Sequence, residues 1–295
     1  SAHPLQDAGA AATVQPQRRR SLPFVVEELE FQVNDRRSFE EFVGLGVMNT
    51  IPDATTIAFF RERLRKAGVI DVIFERFEEH LRSQGLEARG GQIIDATLVP
   101  VPKQRNSRSE NESIKRGQLP DGWANKPERL RQKDLDARWV KKNDISHYGY
   151  KNSFCIDATY GFIRRYAITP ANILHSQMIS QVLDPENRDD FVWADSGYAG
   201  KRYGGLLEVA GFESRIHEKG TRCHPLSEEA KERNKVRSSV RARVEHVFGI
   251  VTTAMRGKLT RRIGLARTKA WWVLRNLTYN FLRYLHCSSK LALST

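Results

Sequence analysis

The stretch Gln92-Ile-Ile-Asp-Ala-Thr-Leu-Val99 is a run of mainly apolar residues that lies between a Gly90-Gly91 pair and Pro100. Short apolar runs bounded by glycine and proline are typical of buried β-strands. Asp95 stands inside this run, where a buried carboxylate costs free energy unless a partner or a metal ion binds it. The sequence therefore predicts a strand over 92–99 that positions one acidic side chain.

Helical spacing of apolar residues dominates the part of the chain that precedes this strand. Asp53 is placed to cap a helix from Thr55 to Lys66, and Gly68 is placed to end that helix before a second one begins. Two helices joined by a short glycine turn are compatible with a DNA-binding helix pair. They are equally compatible with a plain helical hairpin that packs on a neighbouring element.

After the strand, the pattern alternates between short apolar runs and helical periodicity. Residues 103–143 are polar and without periodicity, which indicates an insertion or a mobile loop. The remaining segments are predicted to be a hairpin over 148–168 with its turn at 160–161, a strand at 190–194, a strand at 212–216, and helices at 176–183, 205–210, from 227 and at 268–285. A strand, a hairpin and then α/β alternation is the order of an α/β, ribonuclease-H-like mixed sheet flanked by helices, here with an N-terminal helical region.

The charge distribution indicates a polyanionic partner. The chain of 295 residues has a formal net charge of +13, and its isoelectric point is near 9.8. Residues 1–90 carry a net charge of −2, whereas residues 231–283 carry 14 basic and 2 acidic side chains. A basic surface this concentrated is typical of nucleic-acid binding.

Other function classes are disfavoured by what the sequence lacks. No run of 18 apolar residues is present, so a membrane-spanning segment is not expected. Three cysteines without a Cys-x-x-Cys spacing disfavour a disulfide framework and a zinc ribbon, which indicates a reducing, cytoplasmic protein.

Three carboxylates occupy positions from which they can converge. Asp95 lies in the first strand, Asp195 directly follows the strand at 190–194, and Glu245 lies beside the valine stripe of the helix that starts near 227. Acidic oxygens from separate elements are the ligands that Mg²⁺ or Mn²⁺ takes, and two such ions serve phosphodiester chemistry. The alternative is that the strand-end aspartates cap turns or helices.

The motif Ile-Asp-Ala-Thr occurs twice, at 94–97 and at 156–159, so Asp157 competes with Asp95 for the first position of the acidic set. Asp157 precedes the turn at 160–161 and is predicted to cap it in water at the tip of the hairpin. We expect Asp95 to be the functional acid because its strand should border the strand that ends before Asp195.

Five segments together resemble the DDE transposases of bacterial insertion sequences, family five, over roughly residues 35–285. These segments are Ile-Ile-Asp-Ala-Thr at 93–97, Asp-Ala-Arg-Trp at 136–139, Thr-Pro-Ala-Asn at 169–172, Ala-Asp-Ser-Gly-Tyr at 194–198 and Arg-Ala-Arg-Val-Glu-His-Val-Phe-Gly at 241–249. The resemblance implies a ribonuclease-H-like catalytic domain, two divalent metal ions (Mg²⁺ or Mn²⁺), and cut-and-paste chemistry on inverted-repeat ends. It also implies that Asp95, Asp195 and Glu245 correspond to the metal-binding acidic triad of that family.

The glutamate motif departs from the pattern of related families at two positions. That pattern has Tyr, Arg, Glu and Lys, and this chain keeps Arg241 and Glu245 but has Ser238 and Thr252 at the other two positions. The loss of two DNA contacts leaves open whether this copy is active. The residues predicted to contact DNA are Arg138, Lys141, Lys142, Arg241, Arg243, Arg256, Lys258, Arg261 and Arg262.

These observations lead to one hypothesis about domains and function. The predicted segments are a disordered leader over 1–23, a helical DNA-binding region over 24–88, a catalytic domain over 89–287 and a tail over 288–295. The predicted partners are double-stranded DNA, as inverted-repeat ends and as target, and further copies of the chain as a homodimer or higher oligomer at the bacterial nucleoid. The open alternatives are a decayed remnant that only binds DNA, and another ribonuclease-H-like nuclease that acts on RNA or junctions.

Overall fold

The computed structural model describes residues 26–46, 50–86, 89–187 and 189–292, so the predicted leader over 1–23 lies outside the described residues. The strands are β1 (Gln92–Pro100), β2 (Arg138–Lys142), β3 (Ile145–Asp157), β4 (Ile163–Pro170), β5 (Phe191–Trp193) and β6 (Glu213–Ser214). The helices are α1 (Val26–Asp35), α2 (Arg37–Phe42), α3 (Ala54–Lys66), α4 (Val69–Ser83), α5 (Arg108–Lys115), α6 (Pro127–Arg131), α7 (Ile179–Val182), α8 (Lys201–Val209), α9 (Glu228–Arg241), α10 (Arg243–Thr252) and α11 (Leu265–Ala292).

The strands form one mixed sheet with β1 near its centre, which confirms the predicted α/β class. β1 pairs antiparallel with β3 from Gln92 opposite Asp157 to Pro100 opposite Gly149, and it pairs in parallel with β5. β4 is antiparallel to β3, which confirms the predicted hairpin, and β6 extends the sheet beyond β5 in parallel. The order across the sheet is therefore β4, β3, β1, β5 and β6, with β2 paired to the first part of β3.

The two faces of the sheet are buried by different helices. Ile93 belongs to the core that α4, α10 and α11 complete, whereas Ile94 belongs to a second core with residues of α7 and α8. Neighbouring residues enter different cores because successive side chains of a strand point to opposite faces. Asp95 shares the parity of Ile93 and therefore lies on the face covered by α10 and α11.

The last N-terminal helix, α4, packs on the sheet, so the domain boundary at residue 88 stays a prediction. The Asp53 cap is confirmed, since its carboxylate accepts a hydrogen bond from the Thr56 amide, and Gly68 separates α3 from α4 in a left-handed conformation. However, α4 buries four apolar side chains in the core of the sheet, and the ring of its Phe77 lies 4.5 Å from that of Phe281 on α11. The helical periodicity was visible in the sequence, but the surface that α4 packs against was not.

The region over 103–143 is ordered and contains α5, α6 and β2, which corrects the prediction of an irregular insertion. A capping box between Ser107 and Glu110 starts α5, and the buried ring of Trp123 donates a hydrogen bond to Glu110. The buried carboxylate of Asp134 accepts bonds from the Tyr150 hydroxyl and the Gly264 amide, and so ties this region to β3 and to the start of α11. Periodicity does not reveal such short helices, because polar contacts hold them.

The long helix predicted from residue 227 is interrupted at Ala242 and forms α9 and α10. Ser227 caps α9 as predicted. The valine stripe is buried along α10, at Val244, Val247 and Val251, but Val236 on α9 is 62% exposed, because the interruption turns α9 away from the core.

α11 extends to Ala292 and thus through most of the predicted tail. Among the described residues, no helix combines the length and the apolar character that a membrane crossing requires.

Candidate active site

Asp95 lies on β1, and Asp195 lies just beyond the end of β5, the parallel neighbour of β1. β1 and β5 pair with Gln92 opposite Val192 and Ile93 opposite Trp193, so the same register places residue 195 beside residue 95 just beyond the end of β5. The negative charge of Asp195 contributes to raising the pKa of Asp95, as expected for two acids that share a site. The topology therefore brings these two predicted residues together.

Asp95 is 8% exposed and is held by two hydrogen bonds. Its Oδ1 accepts a bond from the Ala96 amide at 2.7 Å, and its Oδ2 accepts one from a terminal guanidinium nitrogen of Arg241 at 2.8 Å. Burial raises the pKa of Asp95, while the guanidinium opposes this shift by stabilising the charged form. Arg241, predicted to contact DNA, is thus the charge partner of Asp95.

Asp195 is half-buried and also acts as a turn cap. Its Oδ1 accepts a hydrogen bond from the Gly197 amide at 2.8 Å and thereby starts the 3₁₀ turn over Ser196–Tyr198. Asp195 therefore caps a turn, as the alternative interpretation of the sequence predicts. The cap uses one carboxylate oxygen, Oδ1, and leaves Oδ2 for another ligand.

Tyr198, the last residue of the Ala-Asp-Ser-Gly-Tyr motif, also lies at the site. It is 1% exposed, and burial together with the charges of Asp95 and Asp195 raises its pKa well above the ordinary value. The phenol therefore stays neutral next to two acids. Its place at the end of the motif was the available signal.

Glu245 is exposed on α10, between the buried Val244 and Val247. Among the residues that the structure describes, no three His, Cys, Asp or Glu side chains form a group that could hold a metal ion. The triad of Asp95, Asp195 and Glu245 therefore stays a prediction. The guanidinium of Arg241 occupies one carboxylate oxygen of Asp95.

A second cation, Lys258, lies near the acidic residues. The Lys258 ammonium stands 4.8 Å from the centre of the Phe248 ring. Burial lowers the pKa of Lys258, and the charges of Glu245 and Asp95 act in the opposite direction, which indicates that Lys258 lies near both carboxylates. Lys258 and Arg241 thus compensate the negative charge of the three acids.

Asp157 caps the hairpin turn, as predicted, but not in water. It is 1% exposed, and its carboxylate accepts hydrogen bonds from the amides of Thr159, Tyr160 and Phe162. The prediction of a solvated tip is wrong because α11 covers the turn through Tyr279, whose hydroxyl donates to the Gly161 carbonyl. With both oxygens committed to the turn, Asp157 has a structural role.

The predicted DNA-contacting residues divide into two groups. Arg138 is used internally, since its terminal nitrogens donate to the carbonyls of Leu135, Ala137 and Ile114, which corrects its predicted role. Lys141 is exposed and paired with Asp144. The residues of the set whose side chains are exposed are Lys141, Lys142, Arg243, Arg256, Arg261 and Arg262.

An arginine-rich cleft that the sequence did not reveal lies between α3 and α11, with a volume of about 280 Å³. Arg61 and Arg262 each stack on the Trp271 ring, with guanidinium-to-centroid distances of 5.3 and 5.2 Å. Glu62 also lines the cleft, and its hydrogen bond with Arg65 lowers the pKa of Glu62 to about 2. The cleft stays net positive, and an aromatic ring among arginines suits nucleic acid.

Two family models and a relative match the sequence of the chain. Residues 87–281 match the family model of the transposase DDE domain, and residues 25–63 match that of a transposase domain, DUF772. A relative is the transposase for insertion sequence element IS1106 of Neisseria meningitidis serogroup B, which is 28% identical over 228 residues, or 76% of each chain. No solved structure matches the chain.

Proposed function

The chain belongs to the DDE transposase family, and on that premise we propose that it cleaves and joins DNA at the inverted-repeat ends of an insertion sequence of family five. The observation that carries the proposal is the position of Asp95 on β1 and of Asp195 just beyond the end of β5, the strand that pairs with β1 in parallel. The order β4, β3, β1, β5 and β6 around a central β1 supports a ribonuclease-H-like catalytic domain.

The donor set fits a hard divalent cation in its chemistry. Carboxylate oxygens are the ligands that Mg²⁺ and Mn²⁺ prefer, and Asp95 and Asp195 already share one edge of the site. We assign Asp95, Asp195 and Glu245 as the residues that would hold two ions. Bound there, the ions would supply Lewis acidity for the attacking and leaving oxygens of phosphodiester cleavage.

The chain's own residues then divide the remaining work. Release of Arg241 from Asp95 exposes a carboxylate oxygen and at the same moment frees a guanidinium for a DNA phosphate. Lys258, which stands beside Glu245 and Asp95, takes the position of a cation next to the reacting strand. This assignment offers a substitute for the lysine that Thr252 replaces in the glutamate motif.

DNA binding is assigned to exposed basic side chains on several elements. The cleft at Trp271 would take the backbone of the end DNA, since α3 and α11 both contribute arginines to it. Contacts to phosphate fix the register of the duplex and carry no sequence information. We further propose that the chain acts on double-stranded DNA at the bacterial nucleoid in the cytoplasm, as a dimer or higher oligomer that holds two ends.

Cleavage of a duplex that carries the element's own end tests the proposal. With Mg²⁺ or Mn²⁺ we expect cleavage by the natural chain, none with EDTA, and none by Asp195→Asn, because cleavage needs the carboxylates whereas phosphate contacts carry affinity. Asp195→Asn should still bind the duplex. Binding without cleavage by the natural chain would favour a decayed remnant that only binds DNA, for which the exposed Glu245 and the substitutions Ser238 and Thr252 would be the reason.

A further inference from the structure

A second cationic cavity lies on the other side of α10 from the acidic site. It has a volume of about 260 Å³ and is lined by the β3–β4 turn, the first turns of α10 and the last part of α11. The lining residues are Thr159, Gly161, Arg243, His246, Tyr279 and Arg283. This set is called the Arg243 cavity below.

The Arg243 cavity is rich in donors, and none of its lining residues is acidic. Two guanidinium groups, an imidazole and two hydroxyl groups face a space of this size. The nearby carboxylate of Asp157 already accepts three backbone N–H groups of the turn, which leaves it little capacity to accept further hydrogen bonds from the cavity. Like charges held together in this way repel each other, and an anion bound among them would remove the repulsion.

The walls of the Arg243 cavity are built before any ligand arrives. The Arg283 Nε donates to the Tyr160 carbonyl, and the Tyr279 hydroxyl donates to the Gly161 carbonyl, so α11 holds the turn at two points. Gly161 has a φ of +77°, and a Cβ there would lie 3.6 Å from the Arg283 Nε. The left-handed φ favours glycine in this turn, whereas a Cβ at 3.6 Å would make only an ordinary van der Waals contact with Arg283.

Helix geometry separates this cavity from Glu245. At about 100° per residue, Arg243 and His246 lie on one side of α10, while Glu245 points about 160° away from Arg243 and about 100° away from His246. The segment Arg243-Val-Glu-His246 thus presents a carboxylate to one side, and a guanidinium and an imidazole to another. A duplex that engaged both sides would straddle α10.

We propose that the Arg243 cavity binds a backbone phosphate of DNA at a point displaced from the scissile phosphate. The inference rests on the proposed function, since it extends the same DNA across α10. A tetrahedral oxyanion fits the donor set, and a DNA phosphate brings the negative charge that the arginines lack. His246 then has a binding role rather than a purely structural one.

Binding measured without divalent metal tests this site separately from cleavage. The probe is a short random-sequence duplex, and its affinity is measured by fluorescence anisotropy over a series of NaCl concentrations. The variants are Arg243→Gln, His246→Gln and the double variant, and the matched control is Arg76→Gln, which removes one exposed arginine from α4. Because the measurement does not depend on cleavage, it tests the cavity even if the chain does not cleave DNA.

We expect Arg243→Gln to weaken binding about threefold to tenfold and to reduce the slope of log affinity against log salt by about 1, since one phosphate contact is lost. His246→Gln should weaken binding less, and the double variant should resemble Arg243→Gln because both residues hold the same phosphate. A slope for Arg243→Gln equal to that of Arg76→Gln would overturn the proposal. Fully additive losses of binding free energy in the double variant would contradict the inference that Arg243 and His246 hold the same phosphate.

Inorganic phosphate distinguishes a DNA site from a site for the free anion. The melting temperature is compared in phosphate and in chloride at equal ionic strength. We expect phosphate to stabilise the chain little more than chloride does, while Arg243→Gln reduces the slope of log DNA affinity against log salt. A phosphate-specific stabilisation that Arg243→Gln removes, with an unchanged DNA slope, would assign the cavity to free phosphate instead.

Discussion

At the scale of single residues, Arg241 controls whether a carboxylate oxygen of Asp95 is available to a metal ion. Its guanidinium occupies the Oδ2 of Asp95, a position that a metal ion would otherwise take. The ion pair is largely buried, since the side chain of Arg241 is 20% exposed and that of Asp95 is 11% exposed. Solvent therefore screens it less than a surface pair, and its loss should be measurable.

Arg241→Gln should bind Mn²⁺ more tightly than the natural chain, by about tenfold, because a charge-assisted hydrogen bond no longer competes for Asp95. Calorimetric titration measures the affinity. The variant should also melt at a lower temperature without metal, since Asp95 stays buried without its partner, and should recover more on adding Mn²⁺. Arg243→Gln, whose site lies elsewhere, is the control, and an unchanged or weaker Mn²⁺ affinity in Arg241→Gln would contradict the competition.

Asp157→Ala should lower the free energy of unfolding by about 3 kcal/mol, because three backbone N–H groups of a buried turn lose their acceptor. Urea denaturation measures the change. The matched control is Asp121→Ala, which removes an exposed carboxylate and should cost under about 1 kcal/mol. A similar small loss for both variants would mean that the turn does not depend on Asp157.

At the scale of elements, a buried arginine on α11 shapes the segment that carries Lys258. Arg275 is 3% exposed, and one terminal nitrogen donates to the carbonyls of Val251, Met255 and Gly257. Its guanidinium also lies 4.9 Å from the centre of the Trp272 ring. α11 thereby closes the end of α10 and fixes the residue next to Lys258.

Arg275→Met should destabilise the chain by about 3 kcal/mol or more, because buried carbonyls would lose their donor. Lys269→Met on the same helix removes an exposed ion pair with Asp71 and should cost under about 1 kcal/mol. Urea denaturation of both variants gives the comparison. Equal losses would show that the carbonyl contacts of Arg275 carry little stability.

The elements that sequence reasoning found are those with a simple apolar pattern. β1, the β3–β4 hairpin and the start of α9 follow from apolar runs, from turn residues and from the Ser227 cap. The interruption at Ala242 was missed because the valine spacing continues across it, and α5 and α6 were missed because polar side chains hold them. Tertiary contacts decide such features, and one sequence does not display them.

The candidate site was predictable in part for the same reason. Acids at strand ends are visible in the sequence, and parallel pairing places Asp195 beside Asp95. The partners of those acids were not visible in the sequence. Arg241 is 146 residues away from Asp95 along the chain, and Lys258 comes near Asp95 only in the folded structure. The Trp271 cleft and the Arg243 cavity also combine distant segments, which no local motif reveals.

At the scale of the whole molecule, α4 and the sheet share one core, against which Leu64 of α3 also packs. Phe77 of α4 is 7% exposed and packs against Phe281 and Tyr284 of α11. The region matched by the transposase domain model over 25–63 therefore continues into a helix that completes the DDE domain. The arrangement fixes α3, with its arginines, next to α11.

Phe77→Ala should lower the free energy of unfolding by about 3–5 kcal/mol, since it leaves a cavity in that shared core. Phe60→Ala is the matched control on α3, because its side chain is 58% exposed and its removal should cost well under about 1 kcal/mol. Both are measured by urea denaturation monitored by far-ultraviolet circular dichroism. If Phe77→Ala were as mild as Phe60→Ala, the helices would form a unit independent of the sheet.

Binding of Mn²⁺ to the free protein, followed by electron paramagnetic resonance, tests the central assignment most directly. We expect the natural chain to bind the ion and each of Asp95→Asn and Asp195→Asn to weaken that binding by about tenfold or more, while Asp144→Asn, remote in charge and role, leaves it unchanged. Glu245→Gln should weaken it too, once the ion draws α10 toward the strands. Equal Mn²⁺ affinity in the natural chain and in the Asp95→Asn, Asp195→Asn double variant would contradict the assignment of these acids as the metal site.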